Sequence, residues 1–254
     1  MEQIKLFISL AFRKEGLASQ YPDCIFDFSA KEINEYINAL KKEITAASNG
    51  CENCQVIEIE LGNGSYAHYS SIYIEEIIEH VKQCFHVAKD VHVTLHSSCA
   101  NFTFYSATIA RQLNHATIII DVPSFNENIL HDYNYHTSVQ TMKEALQIGF
   151  DQQLRDFIVE IDPSIDFVSC LEQLATTTKV KKITFTHELN EKEKVLFEPY
   201  KDCFEVHTFK ESNDQIGVGL GAISIMQDVK YKNTNDLAFY LENAEDFEKI
   251  ASKL

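Results

Sequence analysis

The sequence predicts an α/β fold: six successive strand–helix units whose parallel sheet is closed or nearly closed into a barrel. Three observations point there. Short β-branched apolar runs alternate with segments of 3.6-residue hydrophobic period. Capping and turn residues stand at the switches between them. At 254 residues the chain is long enough for one such large domain. An open doubly wound sheet is the alternative reading.

The elements follow in order. Ile4–Phe12 is a strand by its apolar and β-branched content, and an irregular segment runs from Arg13 to Phe28. Ser29 opens a helix with Glu32 at capping-box spacing, carrying Ile33, Tyr36, Ile37, Leu40 and Ile44 on one face until Asn49-Gly50. Strand Gln55–Leu61 leads through the turn Gly62-Asn63-Gly64-Ser65-Tyr66 into a helix from about Ser70 to Phe85. Strand Val91–His96 precedes a helix from about Phe102 to Leu113. Strand Thr117–Val122 stops at Pro123, which cannot extend a ladder. A helix from about Ser138 is expected to end with Gly149 as its C-cap. Strand Asp156–Ile161 gives way to a helix from Ser164 to about Thr176, and Lys182–His187 is the sixth strand. Residues 1–190 thus form the partial barrel. Residues 191–254, with a strand Phe204–Phe209, the run Gly217 to Gly221 and a helix from about Thr234, are expected as an appended α+β lid packed on it.

Side chains alternate along a strand, and the more apolar sets should face the helices: Ile57, Ile59 and Leu61, for example. The opposite, inward sets are polar: Glu58 and Glu60; His92, Thr94 and His96; Asp121; Glu160 and Asp162; Thr184, Thr186 and Glu188. Unpartnered buried carboxylates cost several kcal/mol each, so this lining needs cations, donors or water. The expected mouth presents Glu60, His96, Asp121, Asp162 and His187 or Glu188, where barrel enzymes place their chemistry. A divalent metal at His96, Asp121 and His187 is the alternative use of that rim. Ordinary polar strand ends are the simpler explanation.

A net charge of −16 argues against nucleic acid, which needs clustered Lys and Arg. No apolar run approaches the roughly 20 residues of a spanning helix, and the N-terminus has no signal-peptide pattern. Seven scattered cysteines fit reduced thiols in the cytoplasm. Cys51-Glu52-Asn53-Cys54 lacks a second pair for zinc.

The order of motifs resembles the anaerobic coproporphyrinogen III oxidase and haem chaperone branch of the radical S-adenosylmethionine (SAM) enzymes. Lys5 to Phe12 stands where that family has Y-I-H-I-P-F, Gly62 to Tyr66 its G-G-G-T-P with the third residue of the turn kept as Gly64, and His92 to His96 its E-I-T-L-E strand. Asp121 to Asn126 is similar to G-V-Q-S-F-N, His136-Thr137 to the H-T that opens a helix, and Ile161-Asp162-Pro163 to G-L-P. The run Gly217-Val218-Gly219-Leu220-Gly221-Ala222-Ile223-Ser224 resembles G-L-G-A-G-A-H-S, and Tyr231-Lys232-Asn233 follows as Y-x-N. The resemblance covers nearly the whole chain except the family's C-terminal helical domain. It implies a radical SAM type of TIM-like barrel, with Gly62 and Gly64 as a vestigial SAM turn and Gly217, Gly219 and Gly221 as a further cofactor-binding remnant.

The departures imply lost chemistry. The family's C-x-x-x-C-x-x-C loop is replaced by Arg13 to Phe28, where Cys24 stands alone. The family's SAM contacts fall on His96, Pro123 and, on or beside it, Phe157, and the histidine of A-H-S is Ile223. The expectation is a protein without an iron–sulfur cluster that binds a tetrapyrrole or a protein partner, such as an active relative or a tetrapyrrole-pathway protein. The haem-handling relatives alone suggest haem on His68, His96 or His136. Two other classes stay open: an enzyme repurposed around the His/Asp/Glu rim, and a purely structural subunit.

Overall fold

A computed structural model describes residues 1–113, 116–154, 156–208 and 214–254. In chain order its first elements are β1 (Glu2–Ser9), α1 (Ala30–Ser48), β2 (Cys54–Gly62), α2 (Ser71–Cys84) and β3 (Val87–Ser98). Then come α3 (Phe104–Gln112), β4 (Thr117–Asp121), α4 (Glu127–Asp132), α5 (Val139–Asp151), β5 (Asp156–Ile161) and α6 (Phe167–Thr177). They are followed by β6 (Lys182–Phe185), α7 (Glu191–Phe197), β7 (Glu205–Val206) and β8 (Gln215–Val218). The chain closes with β9 (Ile223–Met226), β10 (Val229–Asn233), α8 (Leu237–Asn243), α9 (Phe247–Ile250) and β11 (Ala251–Lys253). The strand expected over Phe204–Phe209 is short, and Phe209 itself lies outside the described residues.

The chain divides into two compact units, the first comprising the described residues of 1–14, 18–95 and 211–254. Its strands run in the order β11-β10-β9-β8-β1-β2-β3. Strand β1 pairs in parallel with both β2 and β8, whereas β9, β10 and β11 are antiparallel. The C-terminal stretch expected as a lid therefore supplies the strand that hydrogen-bonds to β1. The capping box of α1 is present: Ser29 accepts from the Glu32 N–H while Glu32 accepts from the Ser29 N–H. The predicted apolar faces of α1 and α2 are buried, including Tyr36, Leu40, Ile44, Ile74, Ile77 and Val81.

One expected facing is wrong. Ile57 is 38% exposed, because it is the extra residue where the β1–β2 register shifts between Ile4 and Lys5. Beyond that bulge Ile59 and Leu61 are buried with Leu6 and Ile8, and Glu58 and Glu60 face the other side as expected.

The second unit comprises residues 15–17 and the described residues of 96–210, with strand order β4-β5-β6-β7 and all pairs parallel. Asp121, Glu160 and Thr184 stand side by side across β4, β5 and β6. Gly149 is not a C-cap. Helix α5 continues to Asp151, and a Cβ on Gly149 would lie 2.6 Å from the Phe157 ring, so glycine here admits an aromatic ring against the helix. Nor does Ser164 open α6. Asp162 accepts from both the N–H and the hydroxyl of Ser164, holding a turn that delays the helix to Phe167.

Candidate functional site

The polar face of the first unit is built by register. Lys5 lies opposite Glu58 on β2 and Gln215 on β8, and Phe7 lies opposite Glu60, which in turn lies opposite Thr94 on β3. Side chains directly opposite in a sheet share a face, so Lys5, Glu58 and Glu60 converge. The Lys5 ammonium is paired with Glu60 and sits 3.5 Å from Glu58. Burial pulls the Lys5 pKa down, but Glu60 and then Glu58 outweigh it and leave it above the ordinary lysine value. At 3.5 Å the attraction to one carboxylate is about 5 kcal/mol for an effective dielectric near 20, the same order as the desolvation it offsets.

Above this pair lies a cavity of about 220 Å³ whose walls include Lys5, Asp23, Glu60, Asn63 and Gly221. Asp23, from the β1–α1 loop, accepts from Lys232 and from Asn235, each at 2.7 Å. Asn63 donates to the Ser9 hydroxyl at 2.9 Å. Lys5 in the cavity wall and Lys232 beside Asp23 are thus both paired with carboxylates. Lys5 and Asp23 escaped the sequence reading, although the alternation Lys5-Leu6-Phe7-Ile8-Ser9 already places Lys5 away from the helix-facing residues.

The glycine turns are closed. A Cβ on Gly64 would lie 1.8 Å from the Leu10 carbonyl oxygen, so only glycine lets the turn pack on the β1–α1 loop. The backbone N–H of Gly64 is used within the turn, and Ser65 donates to the Phe12 carbonyl. Gly219 adopts φ +97° with the Tyr36 hydroxyl 2.5 Å from where its Cβ would be. Its N–H donates to Glu43 at 2.7 Å, and the Leu220 N–H donates to Tyr36 at 3.1 Å. These are the donors a phosphate or nucleotide would need, and they are engaged.

Glu43 was not singled out in the sequence, though it falls on the apolar stripe of Tyr36, Leu40 and Ile44. It is buried and accepts from Gly219, from Asn233 at 2.7 Å and from the Tyr240 hydroxyl at 2.6 Å. Burial pushes its pKa up to about 7, against the pull of these three donors.

In the second unit several of the expected rim residues are engaged locally. Asp121 accepts from the Cys99 N–H at 3.0 Å and the Tyr135 hydroxyl at 3.3 Å. Asp162 serves the Ser164 turn, and Glu160 lies beside Asp121 on the sheet. His187 and Glu188 fall beyond the end of β6 on exposed loop, with His187 3.3 Å from Glu193 at the start of α7. His96 is half-buried on β3, His136 is exposed, and His68 sets its ring edge-on to Phe28. Among the described residues no three His, Cys, Asp or Glu side chains are grouped so as to hold a metal ion. All seven cysteines lie outside any disulfide, Cys51 and Cys54 included.

No protein-family model matches the sequence, and no curated protein does. Solved structures do. Coproporphyrinogen III oxidase (HemN) from Escherichia coli, a radical SAM enzyme, aligns with 99% of this chain and 71% of its own, at TM-score 0.78 and 12% identity. The fold of this chain is similar to that of this radical SAM enzyme. The FeFe-hydrogenase maturase HydG from Carboxydothermus hydrogenoformans aligns with 84% of this chain and 55% of its own, at TM-score 0.50 and 11% identity. The likeness establishes the mixed α/β, TIM-like fold that the order of segments predicts. Among the described residues no helix is long and apolar enough to cross a membrane.

A radical SAM fold implies a cluster held by thiolates. The β1–α1 loop offers one, Cys24, whose thiol donates to the Asn63 carbonyl at 3.2 Å. Burial pushes that thiol up to about 12, with Arg13 pulling it down and Asp23 raising it by less, so it is neutral at ordinary pH. Around it the chain packs its own aromatics: Phe12 lies 4.9 Å from Phe28, 5.3 Å from Tyr36 and 6.3 Å from Tyr69 between ring centroids. One protonated thiol in an aromatic cluster does not fit a four-iron group.

Proposed function

We propose that this chain is a non-catalytic protein of the radical SAM fold that acts by binding a tetrapyrrole or a protein partner, an active protein of the same fold among the candidates. The observation that carries the reading is Cys24: a single buried, neutral, hydrogen-bonded thiol where cluster chemistry would need several thiolates. The polar face of the first unit supports a binding role. A buried ion pair gives little net stability over an apolar pair of equal volume, so Lys5, Glu58 and Glu60 serve recognition better than folding.

Charge favours the protein partner. Lys5, which lines the cavity, is already paired with Glu60, and Lys232 beside it is paired with Asp23, so among the described residues the lining offers the acid groups of a tetrapyrrole no cation that is not already paired. The cavity of about 220 Å³ is also below the roughly 300–1,000 Å³ of sites that enclose drug-sized ligands.

The test is a single-turnover assay after anaerobic treatment with iron and sulfide, with SAM and a strong reductant. No 5′-deoxyadenosine is expected, and its formation would overturn the proposal. Titration with haem separates the two ligand classes. A saturable Soret shift lost in His96→Ala selects the tetrapyrrole, and a flat titration selects the protein partner.

A further inference from the structure

A second cavity lies on the helix-covered side of β8. Gln215 shares the polar face with Lys5, whereas Ile216 points the other way, towards α1. There, small residues at the last turn of α1, Ala46 and Ala47, leave a volume of about 290 Å³ that also borders Ile216, Met226 and Phe247. Bulkier side chains on α1 would fill it. Met226 and Phe247 are 38% and 39% exposed, so apolar surface is presented at its mouth.

The charged groups of this cavity are of one sign. Glu43 and Glu245 line it, and no lysine, arginine or histidine does among the described residues. Glu245 is exposed at the start of the turn between α8 and α9. Glu43 accepts three hydrogen bonds, from Gly219, Asn233 and Tyr240. A carboxylate offers about four acceptor sites, of which these bonds fill three. Apolar walls with two carboxylates call for a ligand that carries its own positive charge.

We propose that this cavity binds a small organic cation, with an apolar body about one ring in size and a short arm ending in a protonated amine. The site is separate from the polar face and does not rest on the loss of cluster chemistry. Recognition is by shape against Ala46, Ala47 and Phe247, and by charge at Glu245 and Glu43.

The 254-residue chain is titrated calorimetrically with three probes that share one ring: 2-phenylethylamine, 2-phenylethanol and phenylacetate. The amine should bind about tenfold more tightly than the alcohol, and phenylacetate should not saturate. Glu245→Gln should weaken the amine roughly threefold and leave the alcohol unchanged. Ala47→Phe, which fills the cavity, should remove binding of both. Because that variant changes a helix packed in the unit, Glu245→Lys on the exposed rim is the second arm: it should abolish the preference for the amine. Equal binding of the three probes, no saturable binding of any, or an undiminished amine preference in Glu245→Lys would each overturn the proposal.

Discussion

Glu60 and Glu43 are two buried carboxylates of the same unit, solved by opposite means. Glu60 faces the polar side of the sheet and is neutralised by a cation, Lys5, reached from the neighbouring strand. Glu43 faces the helix-covered side and among the described residues meets neutral donors: an amide N–H, an Asn and a Tyr. The first arrangement keeps both partners charged and leaves them beside a cavity. The second binds the glycine run, β10 and α8 to α1, at the expense of a carboxyl that is half protonated near neutral pH. Burial alone does not fix what a carboxylate does; the sign of its partner does.

The largest test of this contrast removes the cation. Lys5→Met should cost about 3–5 kcal/mol in urea unfolding, because it strands Glu60 in low dielectric. The double variant Lys5→Met with Glu60→Met should recover most of that loss, which a purely geometric role for Lys5 would not allow.

The next effect is one of pH. The folded pKa of Glu43, about 7, lies above its unfolded value, so the native state binds more protons in between. Its contribution is complete below about pH 4.5 and is lost as pH rises to about 7, by up to about 3 kcal/mol. Unfolding free energies measured from pH 5 to 8 should therefore fall more steeply in the native sequence than in Glu43→Gln.

The smallest effect sharpens the same point. Tyr240→Phe deletes one donor to Glu43 and should cost about 2 kcal/mol at pH 8, where the carboxyl is ionised, and less at pH 5. An equal cost at both values would mean that Glu43 does not titrate in this range.

Much of the fold was legible because it is written in strong periods. The Ser29–Glu32 box, the stripe from Ile74 to Val81 and the alternation around Glu58 and Glu60 all reappear as read. What escaped was set by tertiary contact. The bulge at Ile57 is imposed by the register with β1, and Gly149 reads as a stop signal until Phe157 is seen lying on it. Strand β8 is too short and glycine-bearing to announce itself, yet it completes the polar face beside Lys5. The sixth strand was read too long for a simpler reason: His187 and Glu188 lie past the end of β6, and strand ends are where single-sequence boundaries are least defined. Glu43 carried a signal, a charge on an apolar helix face, that pointed to a buried network.

The central claim is that cluster chemistry has no place in this loop. It is tested most directly by anaerobic reconstitution with iron and sulfide, desalting, and iron analysis alongside the visible spectrum. The account predicts a colourless chain with no bound iron above background, both in the native sequence and in Cys24→Ala. A brown protein retaining about four irons per chain, and losing them in Cys24→Ala, would contradict it.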